Sequence, residues 1–339
     1  RGLSALEAQL RYISHYPDAT NDDVLNAIAD TYGMNKNQIV VGNGAAELLY
    51  AICRLPGYTG AFVPAPGFSE YKEALEASRI PVRDIFYRPR EDDNGKPYFE
   101  VPYLALETFA AELKGQDGRI IVFLGNPNNP DGTLLDKNHI RTIASMLKDA
   151  NSLLVIDESF IDFVGNDTLQ DNEYSMRSLV NEFDNIIVVH SFTKFYAVPG
   201  LRIGAAFSNP LIIEQLNSFI PTWSVNTLAQ YYTEAALNDV EYVKRTKQVL
   251  HEEQLFMHNS LDTIDGITVY PPSANFMLFH IEQEGITAES INEALKKDNM
   301  IVRNCDSYMG LNNQWVRVAI KDHDTNVKLV EKLTDILKV

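Results

Sequence analysis

The chain has 339 residues, 45% hydrophobic and 22% charged, an ordinary globular composition whose length predicts two domains or one large domain with a smaller satellite. Its 29 basic and 46 acidic residues give a formal net charge of −17, which argues against nucleic acid and anionic membranes as partners. The same field repels a phosphorylated ligand, so any anion site must be built locally.

No run approaches the roughly 18 apolar residues of a membrane helix, and no secretory leader is expected. Cys53 and Cys305 lack CxxC spacing and suggest neither a disulfide framework nor a zinc site. Cys53, in an apolar helical run, reads as a packed core residue. The histidines show no ligand spacing, so no metal is expected, and a reducing cytoplasm is the simplest setting.

Along the chain, short β-rich runs end abruptly in Gly, Pro, Asn or Asp: Gln38–Gly42, Gly60–Pro64, Arg119–Gly125, Leu153–Asp157, Asn185–Ser191 and Arg202–Ser208. Helical patterns such as Ser69–Ser78 and Asn138–Asp149 lie between most of them. Continuous apolar strands alternating with helices predict an α/β fold with a mainly parallel sheet covered on both faces. Ligands gather at the carboxyl ends of such strands. Glu91–Lys96 reads as a polar loop and nothing more. After about Pro221 a long helical region (about Thr227–Leu261) leads to separated strands at Ile267–Tyr270, Asn275–Ile281, Ile301–Asn304 and Trp315–Ile320. A last helix runs from about Asp324 to Leu337. The expected division is a large domain over 22–225 and a smaller α+β domain from 1–21 with 226–339.

Ser191-Phe-Thr-Lys194, followed by Pro199-Gly-Leu-Arg202-Ile-Gly204, carries the strongest signal. A lysine directly after an apolar strand is half withdrawn from water. Desolvation and nearby cations lower its pKa and free the amine to attack an aldehyde. Ser191, Thr193 and Arg202 add two hydroxyls and a cation within one turn system, a set suited to a phosphate monoester. Any one of these residues alone would read as a surface or structural side chain.

Asp157 ends the apolar run Leu153-Leu-Val-Ile156, and a buried carboxylate there needs a partner. The ring nitrogen of pyridoxal 5′-phosphate (PLP) is one, since an ionised Asp keeps it protonated; capping of the next helix by Asp157 or Ser159 is the alternative. Gly42-Asn-Gly44-Ala45-Ala46-Glu47 joins a strand to a helix, whose free amides and positive dipole end suit an anion. Glycine there for turn geometry alone is the other reading. Asn129, in Gly125-Asn-Pro-Asn-Asn-Pro-Asp-Gly132, could donate to a phenolic oxygen or merely belong to a β-turn. Phe68, past another strand, could stack on a ring or fill the core. Arg317 shares a strand face with Trp315 and Ala319, while Val316, Val318 and Ile320 face the other way. A substrate carboxylate would suit its fork geometry. Arg303 is a second candidate, with an internal salt bridge as the alternative for each.

Taken in order, these segments resemble the class I/II aminotransferase superfamily of fold type I PLP-dependent enzymes over essentially the whole chain. Within it the chain is similar to the branch of histidinol-phosphate aminotransferase and L-threonine-O-3-phosphate decarboxylase. The resemblance implies a PLP-dependent transferase fold, with Lys194 as the Schiff-base lysine, Asp157 at the ring nitrogen, Asn129 at the phenolic oxygen and Phe68 stacked on the ring. It implies Gly44, Ala45, Ala46, Ser191, Thr193 and Arg202 around the phosphate, and Arg317, with Arg303 beside it, for the substrate. Tyr16 matches a tyrosine lent to the neighbouring subunit's cofactor phosphate, so a homodimer with shared sites is expected.

Phe160 stands where most aminotransferases place a tyrosine. With Trp223-Ser-Val-Asn226 and the run Val302–Gly310 it leans toward the decarboxylase, a lyase acting on threonine phosphate to give aminopropanol phosphate for cobalamin synthesis. A transferase of the histidinol-phosphate type is the alternative, and a non-catalytic PLP-binding regulator a remote third. The departures are Asp131, where Thr is usual, and Ala45-Ala46, where polar residues are common. A further N-terminal arm is expected ahead of Arg1-Gly2.

Overall fold

The computed structural model describes residues 2–113, 115, 118–165 and 168–337. Its strands, in chain order, are β1 (Ile39–Gly42), β2 (Tyr58–Ala65), β3 (Val82–Phe86), β4 (Arg88–Glu91), β5 (Pro97–Glu100), β6 (Arg119–Gly125), β7 (Leu153–Asp157), β8 (Ile186–Ser191), β9 (Gly204–Phe207), β10 (Ile267–Val269), β11 (Phe276–Ile281), β12 (Arg303–Asn304) and β13 (Trp315–Ala319). Seven of them form one sheet in the order β1-β9-β8-β7-β6-β2-β3. Neighbours from β8 to β3 run parallel, and β9 runs antiparallel to both β1 and β8. The mainly parallel sheet expected from the apolar runs is present.

Strands β6, β7 and β8 carry continuous apolar runs, over residues 120–124, 153–156 and 186–189, because both faces are covered there. Alternate side chains go to opposite sides. Phe123, Val155 and Val189 pack with Leu48, Leu49 and Ile52 of the helix Gly44–Cys53. Val122, Leu124, Ile156 and Val188 pack on the other side with Ile140, Ile143 and Leu147 of the helix Lys137–Asp149. Burying each such side chain contributes about 1.5–3 kcal/mol, so the middle of the sheet is its most rigid part. Asp136 sets where the second helix begins, accepting from the backbone N–H groups of Asn138 and His139.

A smaller antiparallel sheet, β10-β11-β13-β12, has its own core. Val316 and Val318 pack there with Met257, Leu261, Ile291 and Leu333 from the helices Val240–Leu261, Ala288–Leu295 and His323–Leu337. The alternation expected for this strand holds: Arg317, between the two valines, points away from that core.

Three segments differ from the sequence reading. Glu91–Lys96 is the turn region of the β4–β5 hairpin. Asp92 organises it by accepting from the N–H groups of Asn94 and Lys96, each at 2.9 Å. The long helical region is two helices, Thr227–Leu237 and Val240–Leu261, because Asn238 ends one and Asp239 caps the next. Strand pairing near Arg303 is confined to Arg303 and Asn304.

The register sets up the site. Gly125 lies opposite Asp157, so β6 and β7 end level, while β8 passes Asp157 at Val189 and runs two residues further, to Ser191. Because β9 runs the other way, its first residue, Gly204, pairs with both Gly42 and Ser191. Residues that precede β9 therefore reach the same rim as residues that follow the parallel strands. Among the described residues no helix is long and apolar enough to cross a membrane, and no cluster of His, Cys, Asp and Glu could hold a metal ion. Cys53 is free and buried, and burial pushes its thiol up to about 12.

Candidate active site

At this rim a cleft of about 590 Å³ brings together Phe68, Asn129, Asp157, Phe160, Lys194, Arg303 and Arg317, together with Tyr71 and Tyr308. Seven side chains singled out in the sequence thus converge on one space from six separate stretches of chain.

Lys194 lies in the short helix Phe192–Phe195 that begins where β8 ends. Its Nζ is 3.4 Å from Thr193 Oγ1 and 5.8 Å from the centre of the Phe160 ring. No carboxylate among the described residues lies within 4.0 Å of it. Burial lowers its pKa, and the charges of Arg202 and Arg317 add to that against the opposing pull of Asp157. An amine in this setting is more nucleophilic at neutral pH than a surface lysine.

Asp157 is the last residue of β7 and 7% exposed. Its Oδ1 accepts from the Ser159 N–H at 2.9 Å, and its Oδ2 from the Tyr71 hydroxyl at 2.8 Å. One oxygen therefore serves the local turn. The helical turn that follows, Ile161–Phe163, has Phe160 and not Asp157 at its N-cap.

Asn129 Oδ1 accepts from the Tyr308 hydroxyl at 3.1 Å and from Arg317 Nη1. With the oxygen engaged twice, the amide nitrogen remains the group Asn129 can offer. Arg317 lies 5.2 Å from the Phe276 ring centre, and Arg303, directly opposite it across β12 and β13, bonds Ser307 Oγ at 3.1 Å. Neither arginine has a carboxylate within 4.0 Å among the described residues, so the internal salt bridge weighed for each does not form.

A second group gathers beside the cleft. Gly44 opens the helix Gly44–Cys53 at φ +79°, and a Cβ built there would collide with the Arg202 guanidinium. A Cβ on Gly204 would lie 2.7 Å from the backbone N of Ala45 and 2.7 Å from the carbonyl of His190. Both glycines are required by close approach, which brings the first amides of the helix up to Arg202. The Ser191 and Thr193 hydroxyls are 2.8 Å apart. Helix amides without intrahelical partners, two hydroxyls and a guanidinium make a donor set for a phosphate. Ala45 and Ala46 add backbone N–H groups only.

Phe68 is 36% exposed and meets Tyr71 edge-on, ring centres 5.7 Å apart; Phe160 meets Phe276 in the same way at 5.0 Å. Tyr16 does not line its own chain's cleft. It is 79% exposed and stacks on Trp223, with centroids 4.6 Å apart.

Sequence reasoning missed Tyr71 and Tyr308. Tyr71 stands three residues after Phe68 at a helix start, the spacing that puts two side chains on one face. It also missed a buried polar network behind the strand ends. There the Tyr32 hydroxyl donates to Asp162 Oδ2 at 2.7 Å, the same oxygen lies 3.0 Å from His190 Nε2, and Arg177 stacks over Tyr32 at 4.4 Å. Burial opposes ionisation of Asp162, but His190, Arg177 and Tyr32 outweigh it and hold its pKa below the ordinary value.

These residues fit PLP. A phosphate cup, a desolvated amine without an acid partner, a buried carboxylate and an amide donor match the phosphate, aldehyde, ring nitrogen and phenolic oxygen of that molecule.

Comparison with known proteins agrees. The aminotransferase class I and II family profile matches residues 4–333. The chain is 32% identical to the threonine-phosphate decarboxylase of Salmonella typhimurium, covering 98% of this chain and 86% of that protein. It is 28% identical to a histidinol-phosphate aminotransferase of Methanothermobacter thermautotrophicus, over 99% of this chain and 85% of that one. The adenosylcobalamin biosynthesis bifunctional protein CobDQ of Leptospira interrogans is 31% identical over 98% of this chain, which spans only 36% of that longer protein. Among solved structures, the histidinol-phosphate aminotransferase of Clostridium acetobutylicum superposes with a TM-score of 0.87 at 24% identity, covering 99% of this chain and 95% of the other. The chain belongs to the class I and II aminotransferase family and is a PLP-dependent enzyme of fold type I.

Proposed function

We propose that the chain acts on an amino acid carrying a second anionic group, and that it removes the carboxylate of a phosphorylated amino acid, threonine phosphate being the first to test. The observation that carries this reading is the cross-strand pair Arg303 and Arg317. Two guanidiniums facing one cleft, without acidic partners, suit a substrate that brings a carboxylate and a phosphate.

When bound, PLP supplies an electron sink for the pair released as a bond at Cα breaks. In this reading Lys194 links the cofactor covalently and moves the protons, its lowered pKa leaving more of the amine neutral than in a surface lysine. Asp157 holds the ring nitrogen protonated. Asn129 donates its amide to the phenolic oxygen, while Phe160 offers that oxygen no hydroxyl. Gly44, Ala45, Ala46, Ser191, Thr193 and Arg202 hold the phosphate, and Phe68 covers the ring. Arg317 takes the substrate carboxylate and Arg303 the second anion. Held at both ends, the substrate has one orientation, which decides the bond that breaks. The product of threonine phosphate would be aminopropanol phosphate, which serves cobalamin synthesis.

A second reading is an aminotransferase of the histidinol-phosphate type, supported by the relative of that name. A dicarboxylate acceptor would engage the same two arginines. Incubating the enzyme separately with threonine phosphate and histidinol phosphate decides between the two. Carbon dioxide release without a keto-acid acceptor supports decarboxylation; acceptor-dependent conversion of histidinol phosphate overturns it. We take the working form to be a homodimer in which Tyr16 reaches the partner's cofactor phosphate. Its exposure and its place outside its own cleft support this, and a fully active monomer in sedimentation would refute it.

A further inference from the structure

We propose that Tyr71 is a positioning residue: one side chain fixes the Asp157 carboxylate against the cofactor's ring nitrogen and the Phe68 ring against its face. The proposal rests on Asp157 being the partner of the ring nitrogen.

Tyr71 is the second residue of the helix Glu70–Ala77 and only 3% exposed. Its ring stacks on Phe123, with centroids 5.3 Å apart and planes 16° from parallel. Phe123 is fully buried in the middle of β6, so the pose of Tyr71 is set by the rigid centre of the sheet. From that pose its hydroxyl reaches Asp157 Oδ2 at 2.8 Å. With Ser159 N–H on Oδ1 at 2.9 Å, both oxygens are held and the carboxylate plane cannot turn. The same ring makes a T-shaped contact with Phe68, the planes 88° apart.

The chemistry gives the hydroxyl a further role. Burial and the adjacent Asp157 charge push the Tyr71 phenol well above its ordinary value, so it remains a donor across the working pH range. A carboxylate that already accepts from two donors meets a third group as an acceptor. A proton between Asp157 and a bound ring nitrogen would then belong to the ring, where the electron sink needs it. No cation among the described residues lies within 4.0 Å of Asp157 to do the same. A tyrosine present only to fill the core would not be coupled to that proton.

The test uses Tyr71→Phe and Tyr71→Leu in the PLP-loaded protein, and repeats the kinetics with PLP methylated on the ring nitrogen, which keeps the positive charge without an exchangeable proton. Tyr71→Phe should lower kcat about 10- to 100-fold, the scale of one lost hydrogen bond to a charged group, with KM changed less than about threefold. On the methylated cofactor it should match the wild type. Tyr71→Leu should bind PLP more weakly than Tyr71→Phe in equilibrium dialysis, because it also loses the edge contact with Phe68. A Tyr71→Phe deficit that persists on the methylated cofactor, or equal PLP affinity in the two variants, overturns the proposal. Asp157→Ala separates the levels. If the methylated cofactor restores its activity, the assignment of Asp157 stands whatever Tyr71 does; if it does not, that assignment fails and the role of Tyr71 fails with it.

Discussion

Arg317 donates to the side-chain oxygen of Asn129, so the residue proposed to take the substrate and the residue proposed to meet the cofactor form one hydrogen-bonded unit. Tyr308 completes it from the other side of the same oxygen. Removing either end leaves a polar group of the other without its partner. Asn129→Ala and Arg317→Met should therefore be non-additive in kcat/KM, with a coupling of about 0.5–3 kcal/mol, the range found for residues in one network. A double-mutant cycle measures it, and strict additivity would show that the two sites work separately.

The lowered pKa of Lys194 makes a prediction for the cofactor-free protein. Burial and two nearby guanidiniums disfavour the ammonium form, so the neutral amine is populated at lower pH than in a free lysine. Reductive labelling of Lys194 with a small aldehyde should pass its half-maximal rate below pH 10.5, the ordinary lysine value. Peptide mapping should find it labelled ahead of exposed lysines near neutrality. Arg202→Met removes one repelling cation and should move the midpoint upward.

The Asp162 network predicts the acid limb of stability. A carboxylate whose folded pKa is depressed contributes stability that is present above its unfolded value and lost as pH falls through the folded one. For Asp162 that window lies below the ordinary 3.8. Asp162→Asn should cost about 3–5 kcal/mol at neutral pH, as loss of one partner of a buried pair does, and should flatten the dependence of unfolding on pH in the acid range. Denaturant titrations at several pH values read both effects.

Gly204→Ala tests the close approach beneath the phosphate cup. The added methyl would meet backbone atoms of Ala45 and His190, each 2.7 Å away, and backbone cannot move aside as a flexible side chain can. Overpacking of this kind costs about 1–3 kcal/mol. PLP retention during dialysis should fall more than the melting temperature does, because the displaced backbone includes the Ala45 amide, proposed to hold the phosphate.

Most of the sheet was legible because β6, β7 and β8 are unbroken apolar runs with polar stops. The site was legible where a reactive residue followed such a run, as Asp157 and Lys194 do. Arg317 could be placed on its correct face because alternation along β13 is simple. Contacts between distant segments were not legible. Nothing near Tyr71 in sequence announces Asp157, 86 positions away, and nothing near Asn129 announces Tyr308. The β4–β5 hairpin was missed because its strands are short and its side chains largely exposed, so no apolar pattern marks them.

Because Asp157 ends β7 opposite Gly125 of β6 and Val189 of β8, the enzyme should be far more sensitive to the length of its strands than to their composition. Exchanging one aliphatic residue for another in Leu153–Asp157 keeps Asp157 at the rim. Inserting or deleting a single residue there would turn every side chain of β7 to the opposite face and carry the carboxylate out of line with Asn129 and Lys194. Tolerance to length change should therefore be sought in the connections away from the rim, where a loop can absorb it.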